Sequence, residues 1–192
     1  MSIAKVIINS MPKGTAWLIH SQHVVTAAHC VGAEGSTATI QFFNLANNSF
    51  DAEVEATVVS RNLLLDAALL RLSEPRADLV PLSVSKFGTA NSHPNWNGTG
   101  FPAAGEGLVG IFGFNGTVAM MRTTIIRNGA TAPAIQLTCV QGVNHFTSQQ
   151  LVDEEGIPIH ALAGISGSAV CLPDRAERVL GIVRCSMAAL GQ

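Results

Sequence analysis

The residues best suited to do chemistry are a histidine, an aspartate and a serine, each set in a short segment of small residues. His29 follows two short apolar runs and the triplet Thr26-Ala27-Ala28. Small side chains allow close backbone packing, so an imidazole here can be held at the edge of a cleft. A neutral imidazole, with an ordinary pKa of about 6.5, is a general base near neutral pH. Taken alone, a histidine in such a segment is more often structural.

Asp66 and Ser166 supply the two other groups that nucleophilic catalysis by serine requires. Asp66 precedes the apolar run Ala67–Leu70, and Ser166 lies in the turn-forming segment Gly164–Ser168. A serine hydroxyl is a weak nucleophile that needs an adjacent base, and a carboxylate can orient that base. Each segment by itself also fits a plainer interpretation: a buried strand with a charged start around Asp66, and a flexible turn around Ser166.

The elements that must position these side chains are predicted to be short β-strands. The chain has 18 Gly, 8 Pro and no Tyr, and its short apolar runs are repeatedly broken by Gly, Asn and Ser. That spacing favours an all-β sandwich or barrel, and few stretches carry a helical period. A polar, turn-rich segment indicates two halves: residues 1–82 with His29 and Asp66, a connection at 83–95, and residues 96–192 with Ser166.

Composition narrows the class of protein. Lys and Arg number 11 against 13 Asp and Glu, charged residues are only 12 % and hydrophobic residues 47 %. This excludes a disordered chain or a coiled coil, and without a basic excess we expect no nucleic-acid partner. No apolar run approaches the ~18 residues of a membrane span, and the first residues lack the features of a signal peptide. We therefore expect no membrane partner.

The cysteine pattern predicts neither a metal site nor a disulfide framework. Cys30, Cys139, Cys171 and Cys185 form no CxxC pair and no cluster with histidines. We expect reduced, buried thiols, which together with the missing leader indicate a cytoplasmic protein. No metal and no other cofactor is predicted.

Together the segments resemble the motifs of chymotrypsin-like (trypsin-like) serine proteases. Thr26–Cys30 is similar to the family's histidine motif, Asp66–Leu70 to its aspartate motif, and Gly164–Ala169 more loosely to the motif around its nucleophile. Gly14–Ile19 resembles the strand before the histidine, and the order His, Asp, Ser is the family's. The resemblance extends from Gly14 to Ser186 and is closest in style to bacterial intracellular trypsin-like peptidase domains. It implies two six-stranded antiparallel β-barrels with the active site between them.

The resemblance also implies roles for individual residues. The chain would be a serine endopeptidase that forms an acyl-enzyme on Ser166, with His29 as base and Asp66 as its orienting carboxylate. The backbone N–H groups of Gly164 and Ser166 would form the oxyanion hole. The substrate pocket would be formed by His160, Val183 and Ser186, and because no Asp stands at its floor we expect no preference for Lys or Arg.

Three departures from the family pattern affect these expectations. Ile165 replaces the acidic residue that pairs with a newly cut N-terminus, so we expect no activation by cleavage and no effect of trimming before Lys5. The partner of Cys30 is missing and Cys171 is displaced by one position, so the family's disulfides are not expected. Arg184 replaces the serine that normally lies beside the catalytic aspartate.

Several functions fit this sequence. The first is a bacterial effector or regulatory protease module, of the kind associated with defence, which cleaves a protein or peptide and is controlled by an attached domain or partner. A second is a catalytically silent double-barrel binding module, and a third is a viral or self-processing protease.

Overall fold

In the part of the chain that this computed structural model describes, the regular structure consists of β-strands and one short 3₁₀ turn at Ala28–Cys30. The structure describes residues 2–85, 95–101, 112–127, 130–141, 151–152, 158–159, 164–173 and 175–184. Within these ranges no helix is long and apolar enough to cross a membrane.

The first half of the chain forms a closed antiparallel barrel. Its strands run in the order β1-β2-β3-β7-β6-β4, and pairing of β1 with β4 closes the sheet, with β5 added at the edge of β4. The strands are β1 (Ile3–Ile8), β2 (Met11–His20), β3 (His23–Ala27), β4 (Thr37–Asn44), β5 (Ser49–Phe50), β6 (Val54–Asn62) and β7 (Ala67–Leu72).

The register between β3 and β7 determines where the chemistry can occur. Thr26 pairs with Ala68 and Ala27 with Ala67. The end of β3 therefore lies beside the start of β7, and the residues that immediately follow and precede these strands meet at one end of the barrel. Asp66 immediately precedes β7, and His29 lies two positions after the end of β3.

Alternating apolar side chains fill the inside of the barrel. Leu18, Ile40, Phe42 and Leu70 are all fully buried there. Burial of one such side chain contributes about 1.5–3 kcal/mol to folding. The period-two pattern of β4, in which Ala38, Ile40 and Phe42 point inward, is the alternation that a half-buried strand requires.

The second half forms a six-stranded sheet in the order β11-β10-β9-β14-β15-β8, with a separate short pair β12-β13. The all-β prediction is confirmed. One pairing departs from the expected antiparallel arrangement, since β8 runs parallel to β15. The strands are β8 (Ser83–Val84), β9 (Asn95–Gly100), β10 (Phe112–Arg127), β11 (Ala130–Gln141), β12 (Leu151–Val152), β13 (Pro158–Ile159), β14 (Ala169–Leu172) and β15 (Arg175–Ile182).

A second apolar cluster joins the barrel to this sheet. Strand β2 contributes to both clusters: Ala16 and Leu18 face the inside of the barrel, whereas Trp17 faces the second sheet. This is why five successive residues from Gly14 to Leu18 are buried. The joining cluster consists of Ile3, Trp17, Phe43, Leu82, Phe101, Ala169, Cys171 and Val179.

Strand β1 makes the first residues part of the core. Ser2 and Ile3 are each 1 % exposed and Ala4 is fully buried. The carbonyl of Ser2 accepts a hydrogen bond from Leu18 N at 2.9 Å, and its hydroxyl donates to the carbonyl of Val80. Trimming to a start at Ala4 would remove Ile3 from the joining cluster. The structure therefore does not support the expectation that residues before Lys5 are dispensable.

The cysteines give a direct prediction. Cys30 and Cys171, the two whose side chains the structure describes, are buried and unbridged. Burial, followed by the charge of Glu177, raises the pKa of the Cys171 thiol to about 11, so this group resists oxidation. We expect four titratable thiols after denaturation without reductant and no change of melting temperature on adding reductant. A native Cys–Cys crosslink, found by mass spectrometry after isolation under alkylating conditions, would contradict this.

Candidate active site

Asp66 is a buried residue that stabilises the 3₁₀ turn Ala28–Cys30, here called the histidine turn, through both its carboxylate and its backbone carbonyl. Its Oδ1 accepts a hydrogen bond from His29 N at 3.0 Å, and its Oδ2 lies 2.7 Å from His29 Nδ1. Its backbone carbonyl accepts a third bond, from Ala28 N at 3.0 Å. The residue is only 3 % exposed, so these partners replace the water that the charge has lost.

The backbone of Asp66 is unusual for a residue with a side chain. Its φ is 53°, in the left-handed region that aspartate tolerates better than most residues. This conformation ends the turn that follows β6 and begins β7. It allows the carbonyl and the carboxylate of the same residue to face the turn Ala28–Cys30.

The histidine turn is held on its other side by Arg61. The Nε of Arg61 donates to the carbonyl of Ala28 at 3.0 Å, and the Arg61 backbone N–H donates to Glu34 Oε1 at 3.0 Å. The turn is thus fixed by groups from both β6 and the start of β7. The side chain of His29 remains 43 % exposed. The Nδ1 edge of its ring is therefore held by Asp66, whereas much of the rest of the side chain is exposed.

The interaction between His29 and Asp66 shifts their pKa values in opposite directions. The hydrogen bond to Asp66, followed by the contact with the Cys30 thiol, raises the pKa of His29 above its ordinary 6.5. Burial acts to raise the pKa of Asp66, but hydrogen bonds from His29 and the charges of His29 and Arg184 outweigh it. The pKa of Asp66 is therefore below its ordinary value.

Arg184 is the third partner of the buried carboxylate. Its Nε lies 3.6 Å from Asp66 Oδ2, and its side chain is 20 % exposed. The replacement of the family's serine, which the sequence left unexplained, therefore puts a cation beside the Asp–His pair.

Residues 164–168, the serine loop, lie between the two halves of the structure. Gly164 and Gly167 have φ of 94° and 87°, which glycine adopts without strain. The carbonyl of Ser166 accepts a hydrogen bond from Thr15 N at 2.8 Å, and the Cys30 thiol faces it at 3.9 Å. The serine is thus held against β2 and the histidine turn by its backbone.

The imidazole of His29 and the hydroxyl of Ser166 are not hydrogen-bonded to each other in the described part of the chain. Such bonds are often long in the absence of substrate and tighten only in the complex. The backbone N–H groups of Gly164 and Ser166 likewise donate to no other residue that the structure describes.

The predicted pocket residues are described only in part. Val183 is half-buried beside the serine loop: its N–H donates to Ser168 O at 2.9 Å and its carbonyl accepts from Gly167 N at 2.7 Å. His160 and Ser186 lie outside the described residues. The roles assigned from the sequence to all of these residues stay predictions.

Sequence reasoning missed the contribution of Thr15. This residue is fully buried on β2 and bonds to the serine loop at two points. The only local signal was a polar residue between Gly14 and Ala16 in a buried strand. Its partners are 149 and 151 positions away in the chain, so no local pattern could identify them.

A closed antiparallel barrel packed on a second sheet, with a buried aspartate bonded to a partly exposed histidine and a serine loop held against the same barrel, is the arrangement expected of the serine-protease class of hydrolases. Comparison with known proteins agrees with this class. The trypsin-like peptidase domain family matches residues 14–182. The chain belongs to this family, and it is a serine protease.

Solved structures share the fold at low sequence identity. The Rv3671c protease in its inactive form is 18 % identical with a TM-score of 0.66, covering 97 % of this chain and 79 % of that one. Deg5 is 15 % identical with a TM-score of 0.64, covering 96 % and 79 %. A Glu endopeptidase is 16 % identical with a TM-score of 0.61, also covering 96 % and 79 %. No curated protein matches the chain at a significant level.

The cation beside Asp66 gives a prediction about pH dependence. Among the described residues, Asp66 and Cys30 interact with the His29 ring, Arg61 bonds to its turn, and Arg184 lies against Asp66. Arg184 partly neutralises the charge of Asp66, and Asp66 stabilises the protonated form of His29. Removal of the Arg184 charge should therefore raise the pKa of His29. In Arg184→Gln we expect the midpoint of the pH–kcat/KM profile to move up by roughly 0.5 unit.

Arg184→Lys is the matched control, because it keeps the charge near the carboxylate. Its midpoint should stay near that of the parent enzyme. An unmoved midpoint in Arg184→Gln, or equal shifts in both variants, would show that the charge of Arg184 does not reach His29.

Proposed function

We propose that this chain is a serine endopeptidase in which Ser166 is the nucleophile. His29 takes the hydroxyl proton as Ser166 attacks the peptide carbonyl, and returns it to the leaving amine. Asp66 holds the imidazole in the tautomer that leaves Nε2 free to accept, and stabilises the imidazolium. The backbone N–H groups of Gly164 and Ser166 bind the oxyanion of the tetrahedral intermediate, which collapses to an acyl-enzyme that water hydrolyses.

The observation that carries this proposal is the 2.7 Å contact between Asp66 Oδ2 and His29 Nδ1. A bond at Nδ1 fixes the ring so that its opposite nitrogen faces the cleft. The second bond, from His29 N to Oδ1, fixes the carboxylate itself. A carboxylate that served only to stabilise a turn would not need to engage the ring, whereas an orienting group for a general base must do so.

The substrate is proposed to be a protein or peptide whose side chain before the cut enters a pocket bordered by Val183. This residue is tied to the serine loop by two backbone bonds, so a side chain that packs against it would lie close to Ser166. His160 and Ser186 would complete the pocket.

We also propose that the enzyme acts as an effector or regulatory protease in a bacterial cytoplasm, controlled by an attached domain or partner. The unbridged thiols of Cys30 and Cys171 support a reducing compartment. The large apolar side chains of Val80 and Val84, which are 78 % and 60 % exposed, support contact with such a partner.

Substitution of the nucleophile tests the mechanism. In Ser166→Ala we expect hydrolysis of a dye-labelled protein substrate to fall by at least about 10³-fold with the fold retained. His29→Ala should be about as severe, and the double variant hardly worse, since the three groups act as a unit. A fluorophosphonate probe should label the parent enzyme and not Ser166→Ala.

Ser168→Ala is the matched control for this experiment. Ser168 is fully buried two residues away and its hydroxyl has no hydrogen-bond partner in the described residues, so its loss should leave the rate close to that of the parent. Substantial activity in Ser166→Ala would refute the assignment of the nucleophile. A parent protein that resists labelling would instead favour a catalytically silent binding module.

The pH dependence follows from the state of His29. Only the neutral imidazole accepts the serine proton, so kcat/KM should rise with pH through the pKa of His29. Because Asp66 and the Cys30 thiol raise that pKa, the midpoint should lie above the ordinary value of about 6.5. A rate that is constant from about pH 5 to 9 would count against a histidine base.

A further inference from the structure

The serine loop contains no charged residue that could hold its conformation. Residues 164–168 comprise two glycines, two serines and Ile165, which is 7 % exposed and apolar. Gly164 and Gly167 both adopt positive φ and are the residues with the most conformations to lose. Some other group must hold the loop if the amides of Gly164 and Ser166 are to point at a reacting carbonyl before substrate arrives.

Thr15 on strand β2 makes the contacts that could do this. Its N–H donates to the carbonyl of Ser166 at 2.8 Å, and its Oγ1 donates to the carbonyl of Gly164 at 2.8 Å. The same Oγ1 accepts a hydrogen bond from Phe101 N at 3.1 Å. Thr15 is fully buried, so water cannot replace any of these bonds.

These contacts fix successive peptide planes of the loop. A peptide unit is planar, so holding its carbonyl also sets the direction of its N–H. Thr15 holds the peptides that follow Gly164 and Ser166. The peptide between them is held by the bond from Ser168 N to Ile165 O at 2.9 Å. The N–H of this Ile165–Ser166 peptide is the Ser166 N–H, one of the two proposed oxyanion donors. It points in the direction opposite to the bonded carbonyl of Ile165.

We infer that Thr15 is a positioning residue of the serine loop: its hydroxyl and its N–H hold the Gly164–Ile165 and Ser166–Gly167 peptides, which flank the peptide that carries the Ser166 N–H donor. The inference rests on the proposed function of Ser166 and of the two amides. Thr15 touches neither substrate nor the reacting atoms. It acts through the loop, so its effect should appear in the chemical step more than in substrate binding.

Thr15→Val tests this inference because it removes the hydroxyl and keeps the branched shape. We expect kcat to fall about 10–100-fold, since a shift of the order of 1 Å in a catalytic donor costs about 10²-fold. KM should stay within about twofold, as expected when an interaction made in the transition state is lost. Thr15→Ser restores the hydroxyl and should recover most of kcat. Labelling by a fluorophosphonate, whose adduct also uses the oxyanion hole, should slow in parallel with kcat.

Thr26→Val is the matched control. Thr26 is equally buried on the neighbouring strand, and its Oγ1 donates to the Thr15 carbonyl at 2.8 Å and lies close to Gly167. Its loss removes a similar buried bond and disturbs the packing of the same loop, but leaves the bond to the Gly164 carbonyl in place. Thermal unfolding of each variant reports its folding. If Thr15→Val does not fold, Thr15→Ala serves instead. It removes the same hydroxyl and adds no methyl group near Gly100, whose backbone lies close to Thr15 Oγ1.

Each outcome has one meaning. A kcat loss in Thr15→Val that exceeds that of Thr26→Val and is rescued by serine supports the inference. A kcat in folded Thr15→Val or Thr15→Ala within about threefold of the parent overturns it, as does an equal loss in Thr26→Val, which would indicate general packing. Retained hydrolysis by Ser166→Ala, measured in parallel, would instead overturn the proposed function on which the inference rests.

Discussion

The buried charge of Asp66 is the constraint on which the rest of the site depends. A carboxylate that is 3 % exposed is very costly unless hydrogen bonds and opposite charge replace its water. The partners come from separate parts of the chain: the backbone and ring of His29 after β3, and the guanidinium of Arg184 after β15. Satisfying one carboxylate therefore requires that the barrel and the second sheet meet at one place.

Strand β2 makes that meeting possible because it is covered on both faces. Ala16 and Leu18 belong to the inside of the barrel, whereas Trp17 packs toward the second sheet and Thr15 bonds to the serine loop. An ordinary barrel strand would expose its outer side chains to water. Here the outer face is the surface on which the second half is built, so the packing that stabilises the fold also sets the distance between the histidine turn and Ser166.

Part of this arrangement could be predicted from local sequence patterns, and part of it could not. The small residues before His29 and the apolar run after Asp66 predicted a strand beside each of these candidate residues, and the pairing of Ala27 with Ala67 brings the two segments together. The partners of Thr15 and Arg184 could not be predicted, because each bond joins residues more than a hundred positions apart. A hydroxyl or guanidinium carries no local signal of which distant carbonyl or carboxylate it will meet.

The replacement of a charged loop anchor by neutral groups has a consequence for how the rate responds to pH. An anchor formed by an acid and an amine would lose its geometry when either partner changed charge. The hydrogen bonds from Thr15 to the carbonyls of Gly164 and Ser166 join groups that do not titrate in the physiological range. Ile165 is held by burial, which is also independent of protonation. Under the proposed mechanism the oxyanion donors therefore keep their positions as pH changes, and the pH dependence of the chemical step follows the protonation of His29.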